Sequence, residues 1–204
     1  SWGLYASSVE PLPEVIQHEM LKSSWRKGCP VALSNLVLVT VDYWGFDDAK
    51  HRGELVVHKS LGAEVKRIFD SLYQQRFPIE RIERVDVYNG DDALLMKKNI
   101  TSAFNCRLVT GQPGIYSQHS YGRAIDINPL INPYVNKDRI LPAEGKIHTN
   151  RNQPAKGKIT QDGLVYKLFI DNGWDWGGSW PDLQDYQHFE KRANGEKRVP
   201  YGTM

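Results

Sequence analysis

The chain has 204 residues, 40% of them hydrophobic, a formal net charge of +2 at pH 7 and two cysteines. That length supports one domain with a substantial core and is short for two. The mild charge and a sequence pI near 8.4 argue against a nucleic-acid partner, the mean hydropathy of −0.52 is that of an ordinary water-facing globule, and no apolar run is long enough to cross a bilayer.

In chain order, Pro11 and Pro13 give an irregular entry to an amphipathic helix around Val15, Ile16, Met20 and Leu21, which packs on the outside. Residues 1–35 are therefore read as an N-terminal extension, and 36–204 as the domain proper. Leu36 to Trp44 is rich in β-branched and aromatic residues and predicts a strand. A turn at Gly45–Asp48, a polar segment and a short strand at Glu54–His58 complete a hairpin with a long loop. From Ser60 to Phe77 the apolar residues Leu61, Val65, Ile68, Phe69, Leu72 and Tyr73 recur at helical spacing, and Pro78 ends the run. Ile82–Tyr88 predicts a strand, Ala93–Lys98 a short helix, and Ala103–Val109 a strand that carries Arg107.

From Ile131 to Asp162 the chain is polar and holds Pro133, Pro142 and Pro154. A loop this long is uncommon inside a compact domain unless it is functional, and it reads as a wall or lid. Gly163–Asn172 predicts a helix with a left-handed cap at Asn172–Gly173, Trp174–Trp180 an aromatic loop, and the residues beyond Glu190 a basic, frayed tail. The fold class is α+β, with a central, mainly antiparallel sheet and helices packed on one side.

The chemistry concentrates in two stretches. In the first, Ser117-Gln-His-Ser-Tyr-Gly-Arg-Ala-Ile-Asp-Ile-Asn-Pro129, six residues lie between His119 and Asp126. The alternation from Ala124 to Asn128 predicts a half-buried strand with Asp126 on its less apolar face, and Gly122 allows the chain to turn so that His119 folds back. The second stretch places Asp185 three residues before His188. A hydrolytic zinc site needs three protein ligands and a nearby carboxylate that is not one of them. His119, Asp126 and His188 supply the first, Asp185 the second. On spacing alone, satisfied polar histidines and surface aspartates fit equally well.

The pattern Ser117-x-His119-x-x-Gly122-x-Ala124-x-Asp126-Ile127, followed by Asp185-x-x-His188-Phe189, resembles the signature of bacterial cell-wall zinc peptidases. Phe104–Arg107, Asn132–Tyr134 and Gly173–Gly178 extend the likeness. That group includes VanY-type D-alanyl-D-alanine carboxypeptidases and L-alanyl-D-glutamate endopeptidases, within the lysostaphin, D-Ala-D-Ala metallopeptidase and hedgehog fold group. The resemblance covers most of the chain from about Leu55 onward. It implies one Zn2+ ion on His119, Asp126 and His188, with Asp185 as the base that takes the attacking water's proton and Arg107 as the cation that meets the scissile carbonyl oxygen. Asp in place of Glu at position 185 favours an endopeptidase over a carboxypeptidase. The alternative for Asp185 is a carboxylate that orients His188, with Glu190 as substitute base. For Arg107 it is a surface ion pair.

Ser117 either orients a ligand or the peptide, or caps its own turn; Trp180 lines the cleft, whereas Trp174 and Trp176 are packing residues. His18, His51, His58 and His148 have no partner at ligand spacing. The implied partner is a peptidoglycan stem peptide, met by a monomer outside the cytoplasm. No basic, apolar leader opens the sequence, so an exported protein is expected to be in its mature form here. In an oxidising compartment Cys29 and Cys106 are expected to pair, whereas in a reducing one they would be two buried thiols. A zinc-containing binding module without catalysis is the alternative from another class.

Overall fold

The computed structural model describes residues 7–201. The first layer is a three-stranded antiparallel sheet of β1 (Ser8–Pro11), β2 (Leu36–Trp44) and β3 (Lys50–His58), in the order β1-β2-β3. β2 obeys its period of two, and its two faces feed different cores. Leu36 and Leu38, with Val56 of β3, meet Ile16 and Met20 of α1 (Glu14–Leu21). Val39 and Val41, with Leu55 and Val57, meet Val65, Ile68, Phe69 and Leu72 of α2 (Gly62–Gln74). Each of those α2 side chains is essentially fully buried, which stabilises the layer by roughly 1.5–3 kcal/mol apiece before entropy is counted. The first six residues of the extension lie outside the described part. Its remainder joins the domain through β1, which pairs with β2 from Ser8↔Thr40 to Pro11↔Val37.

The hairpin loop is shorter than the sequence predicts. Polar residues 50–53 belong to β3, where Arg52 faces Asp42 across the ladder with Nε 3.1 Å from Oδ1. Such a cross-strand pair lets a charged stretch run as a strand at the solvent end of a sheet.

The predicted strand over Ile82–Tyr88 is corrected. Only β4 (Arg81–Ile82) is extended, paired in parallel with β5 (Ile100–Thr101), and Val85–Tyr88 forms a 3-10 turn. The physical reason lies in the spacing, since Ile82 and Val85 are three residues apart and one strand face cannot bury both. The turn buries Val85, exposes Val87 and is closed by Asn89 at φ +55°. A short helix α3 (Asp92–Lys97) follows, capped by the Asp91 carboxylate, which accepts from Leu94 N.

Residues 103–107 are likewise not a strand. Each backbone amide finds a different neighbour: Phe104 N bonds Val56 O, Asn105 N bonds His119 O, and Cys106 N bonds Ser24 O. Strand pairing resumes only at β6 (Leu108–Val109) and β7 (Gln112–Tyr116), a small hairpin. The Cys29–Cys106 disulfide, with Cα atoms 6.1 Å apart, ties this segment to the region after α1.

The remaining strands form two further sheets. β8 (Ala124–Asp126), β11 (Asp175–Trp176) and β13 (His188–Glu190) make an antiparallel sheet in the order β11-β13-β8, while β9 (Tyr134–Asn136), β10 (Arg139–Leu141) and β12 (Gln184–Asp185) make another in the order β10-β9-β12. α4 (Leu164–Asp171) ends at Gly173, which takes the left-handed conformation at φ +85°. Phe169 of α4 stacks on Phe189 of β13 with ring centroids 4.2 Å apart, and Trp174 meets Phe169 edge-on. The strand that carries His188 is thus backed by a rigid aromatic core. This is an α+β fold of mainly antiparallel sheets; the expected packing of helices on one side is corrected, because α1 and α2 cover opposite faces of the first sheet.

The long polar region is not the structureless wall that its composition predicts. Besides β9 and β10 it contains a 3-10 helix at Ala143–His148. Fully buried Asn132 secures it: its amide donates to Ile127 O, Asn128 O and Gly157 O, and its carbonyl oxygen accepts from Ile159 N and Arg151 Nη2.

Candidate metal centre and cleft

β8 and β13 pair in a register that sets His188 opposite Asp126, with Ile125↔Phe189 and Ala124↔Glu190 on either side. The half-buried strand expected at β8 is corrected: all three of its residues are buried, because the two imidazoles lie over the Asp126 face while Ile125 and Ile127 enter the main core.

His119 arrives from a 3-10 turn, Gln118–Tyr121, whose N-cap is Ser117. The Ser117 hydroxyl accepts a hydrogen bond from His119 N, so this side chain caps its turn while also lining the cleft. Gly122 closes the turn at φ +71°, with its carbonyl accepting from His58 N at 2.8 Å. A Cβ there would stand 2.5 Å from that nitrogen, so any other residue would push the turn off the sheet.

Three donor atoms converge as a result. Ligand atoms of His119, Asp126 and His188 lie within 4.8 Å of one another, all from buried residues, and they form the one such cluster among the described residues. His119 Nδ1 donates to Ala103 O at 2.7 Å, which in the neutral tautomer leaves Nε2 as a bare lone pair. That nitrogen stands 3.0 Å from Asp126 Oδ2 and makes no hydrogen bond. A buried lone pair against a carboxylate oxygen is relieved by a proton or by a metal cation between them, and two imidazoles with one carboxylate are the donor types that suit zinc over magnesium. The residues fit the ion. His188 turns Nδ1 towards Asp126 Oδ1, at 3.1 Å, and Nε2 towards Glu190 Oε1, at 2.9 Å.

Glu190 is therefore placed differently from a substitute base. It is two residues from His188 on the same strand, hence on the same face, and it holds the ring nitrogen that points away from Asp126. Its other oxygen accepts from Arg192 Nε. Strand alternation was the signal for this contact. Which ring nitrogen it meets was not legible in the sequence.

Charge in this cluster is strongly perturbed. Burial works to raise the Asp126 pKa, but the two neighbouring imidazoles hold its carboxyl far below the usual carboxylate range. Burial also opposes charge on His188, yet its hydrogen bonds to Asp126 and Glu190 push it up to about 10. Asp185 is raised to about 7, chiefly by burial, with His188 and Arg107 pulling down and Asp126 pushing up.

Asp185 sits on β12, paired with Tyr134. Gly177 packs so closely on it that a Cβ there would lie 2.5 Å from Asp185 O. Asp185 Oδ1 and Arg107 Nε are both buried and without a hydrogen-bond partner, although Arg107 Nε has the Asp92 carboxylate 3.8 Å away. Both residues line a cleft of about 790 Å3 that also contains His188, Ser117, Tyr134 and Trp180. The Trp180 ring centroid is 5.4 Å from that of His188. Trp174 and Trp176 are core residues. His51 binds Asp47, and His58 accepts from Ser60 N, both away from the cluster.

Comparison with curated proteins and with solved structures gives no match. The model of a family described as D-alanyl-D-alanine carboxypeptidase matches residues 110–191, a segment that includes Ser117, His119, Asp126, Asp185 and His188 but neither Arg107 nor the tail. Over these residues, with their convergent pair of histidines and aspartate, the chain is similar to the D-alanyl-D-alanine carboxypeptidase family of VanY-like zinc peptidases.

Proposed function

We propose that the protein is a zinc-dependent peptidase that hydrolyses peptidoglycan stem peptides outside the cytoplasm, as an L-alanyl-D-glutamate-type endopeptidase. The observation that carries this reading is the convergence of His119, Asp126 and His188 at the wall of a cleft that also holds Asp185 and Arg107. His119, Asp126 and His188 would hold the zinc, which would supply a Lewis acid for amide hydrolysis at neutral pH. Asp185 takes the proton of the attacking water and delivers it to the leaving amine. Arg107, which cannot deprotonate, faces the carbonyl oxygen as charge builds on it. Glu190 fixes the orientation of His188. The disulfide favours an oxidising compartment, and among the described residues no helix is long and apolar enough to cross a membrane.

The resemblance favours the endopeptidase through Asp rather than Glu at position 185, and the cleft of about 790 Å3 has room for several peptide residues on either reading. The family's description favours the second reading, a D-alanyl-D-alanine carboxypeptidase using the same residues. Mass spectrometry of muropeptides digested by the zinc-loaded protein separates them. Release of stem peptide from glycan-linked alanine supports the first, and loss of a terminal alanine the second. Absence of any product would leave a binding module. Alanine at His119, Asp126 or His188 is expected to remove most bound zinc; full metal occupancy in all three variants would overturn the ligand assignment.

A further inference from the structure

The residues after the matched segment do not fray as their composition predicts. The Arg198 side chain is only 3% exposed, and its guanidinium makes two hydrogen bonds to Asp182, 2.8 and 2.7 Å long. It lies over the Trp180 ring at 4.1 Å and the Tyr201 ring at 4.4 Å, and Tyr201 N donates to the same carboxylate at 3.2 Å. A buried arginine held by a carboxylate fork and by two aromatic faces is a built joint. What it joins is informative. Trp180 packs beside His188, and Val199, Pro200 and Tyr201 line the same cleft as Asp185 and His188. Val199 is 62% exposed there, and Ile115 of β7, 47% exposed, also lines this cleft. Apolar side chains left open inside a cleft invite the side chains and backbone of a bound peptide.

We infer that Arg198 is a specificity-determining positioning residue: by clamping residues 198–201 to Asp182 and Trp180, it builds the cleft wall that binds the part of an extended peptide beyond the scissile bond. This inference rests on the peptidase reading for the position of the scissile bond, but not on turnover. It gives the tail a role in choosing long substrates over short ones, without contact between Arg198 and the reacting atoms.

The test compares binding of two synthetic peptides that share one scissile bond, one of two residues and one of five, to the zinc-loaded protein by calorimetry. Arg198→Gln breaks the clamp, and Tyr201→Ala removes one aromatic wall without leaving Asp182 unpaired, which keeps the test sound if the first variant fails to fold. Both variants are expected to retain zinc and to bind the five-residue peptide about tenfold more weakly relative to the two-residue peptide. An unchanged ratio in the folded variants would overturn the inference, as would failure of the parent protein to bind the longer peptide. Binding of the longer peptide with that selective loss, but without hydrolysis by the parent protein, would uphold the wall while removing the peptidase reading.

Discussion

At the scale of single residues, the site depends on which atom of each side chain faces inward. His119 presents Nε2 because Nδ1 is occupied by Ala103 O, and His188 presents Nδ1 because Nε2 is held by Glu190. Asp185 has no such tether on Oδ1, which suits the proton-transfer role proposed for it. Asp185→Asn is accordingly expected to keep zinc and fold while lowering turnover by about 10²-fold or more. Parallel metal analysis and kinetics check this, and an active Asn variant would move the base elsewhere. The residues the structure brings together were legible because a histidine, a turn glycine and an aspartate stood at close spacing, and Asp185 and His188 repeated the theme. The role of Glu190 was not, because residue type and spacing do not tell which ring nitrogen a neighbour will engage. Arg198 was hidden more deeply: nothing near it in the sequence announces the Asp182 and Trp180 that bury it.

At the scale of elements, periodicity was reliable where an element was long. β2 and α2 alternate cleanly between faces, and both formed as the pattern predicts. Short segments failed where apolar residues fell at mixed spacings, as at Ile82, Val85 and Val87, or where each amide found its own partner, as at residues 104–107. That irregular segment is secured by the Cys29–Cys106 disulfide, which closes a loop over a sequence separation of 77. On the chain-entropy view such a closure contributes about 4 kcal/mol. Reduction should lower the melting temperature by roughly 10 °C for a domain of this size, as read by calorimetry with and without reductant. The adjacent Arg107 should lose its fixed place at the same time, seen as a fall in turnover under reducing conditions that leave the fold intact.

For the whole molecule, the least legible part was the polar region between the two motif halves. Its prolines and polar residues read as loop, whereas its order comes from one buried amide whose partners are spread from Ile127 to Ile159. Asn132→Ala would leave the Ile159 amide and the Arg151 guanidinium without that acceptor. It is expected to destabilise the fold by about 3 kcal/mol, measured by denaturant unfolding; an effect below one third of that would mean that water or a neighbour replaces it. The tail answers to pH in a definite window. The Asp182 pKa is lowered to about 2, first by its hydrogen bond with Arg198. A carboxylate with a depressed folded-state pKa contributes stability that is complete above its unfolded value near 4 and lost as pH falls through the folded one. The protection of the Tyr201 amide, which donates to Asp182, against hydrogen exchange should therefore stay constant from pH 8 to about 5 and fall only on further acidification. Loss of that protection near neutrality would contradict the clamp.

The pairing of His188 with Asp126 across β13 and β8 also orders events in time. The two residues are 62 positions apart in the chain yet direct neighbours in the ladder. A ribosome extends a chain at about 5–20 residues per second, so several seconds separate the appearance of the first two proposed metal ligands from that of the third. During that interval the nascent protein has a histidine and an aspartate but no third ligand, and β8 lacks the strand that completes its ladder. On the peptidase reading proposed above, hydrolytic competence would thus come late in synthesis, with the strand that closes the sheet, and a chain interrupted before β13 is expected to be inert towards peptides.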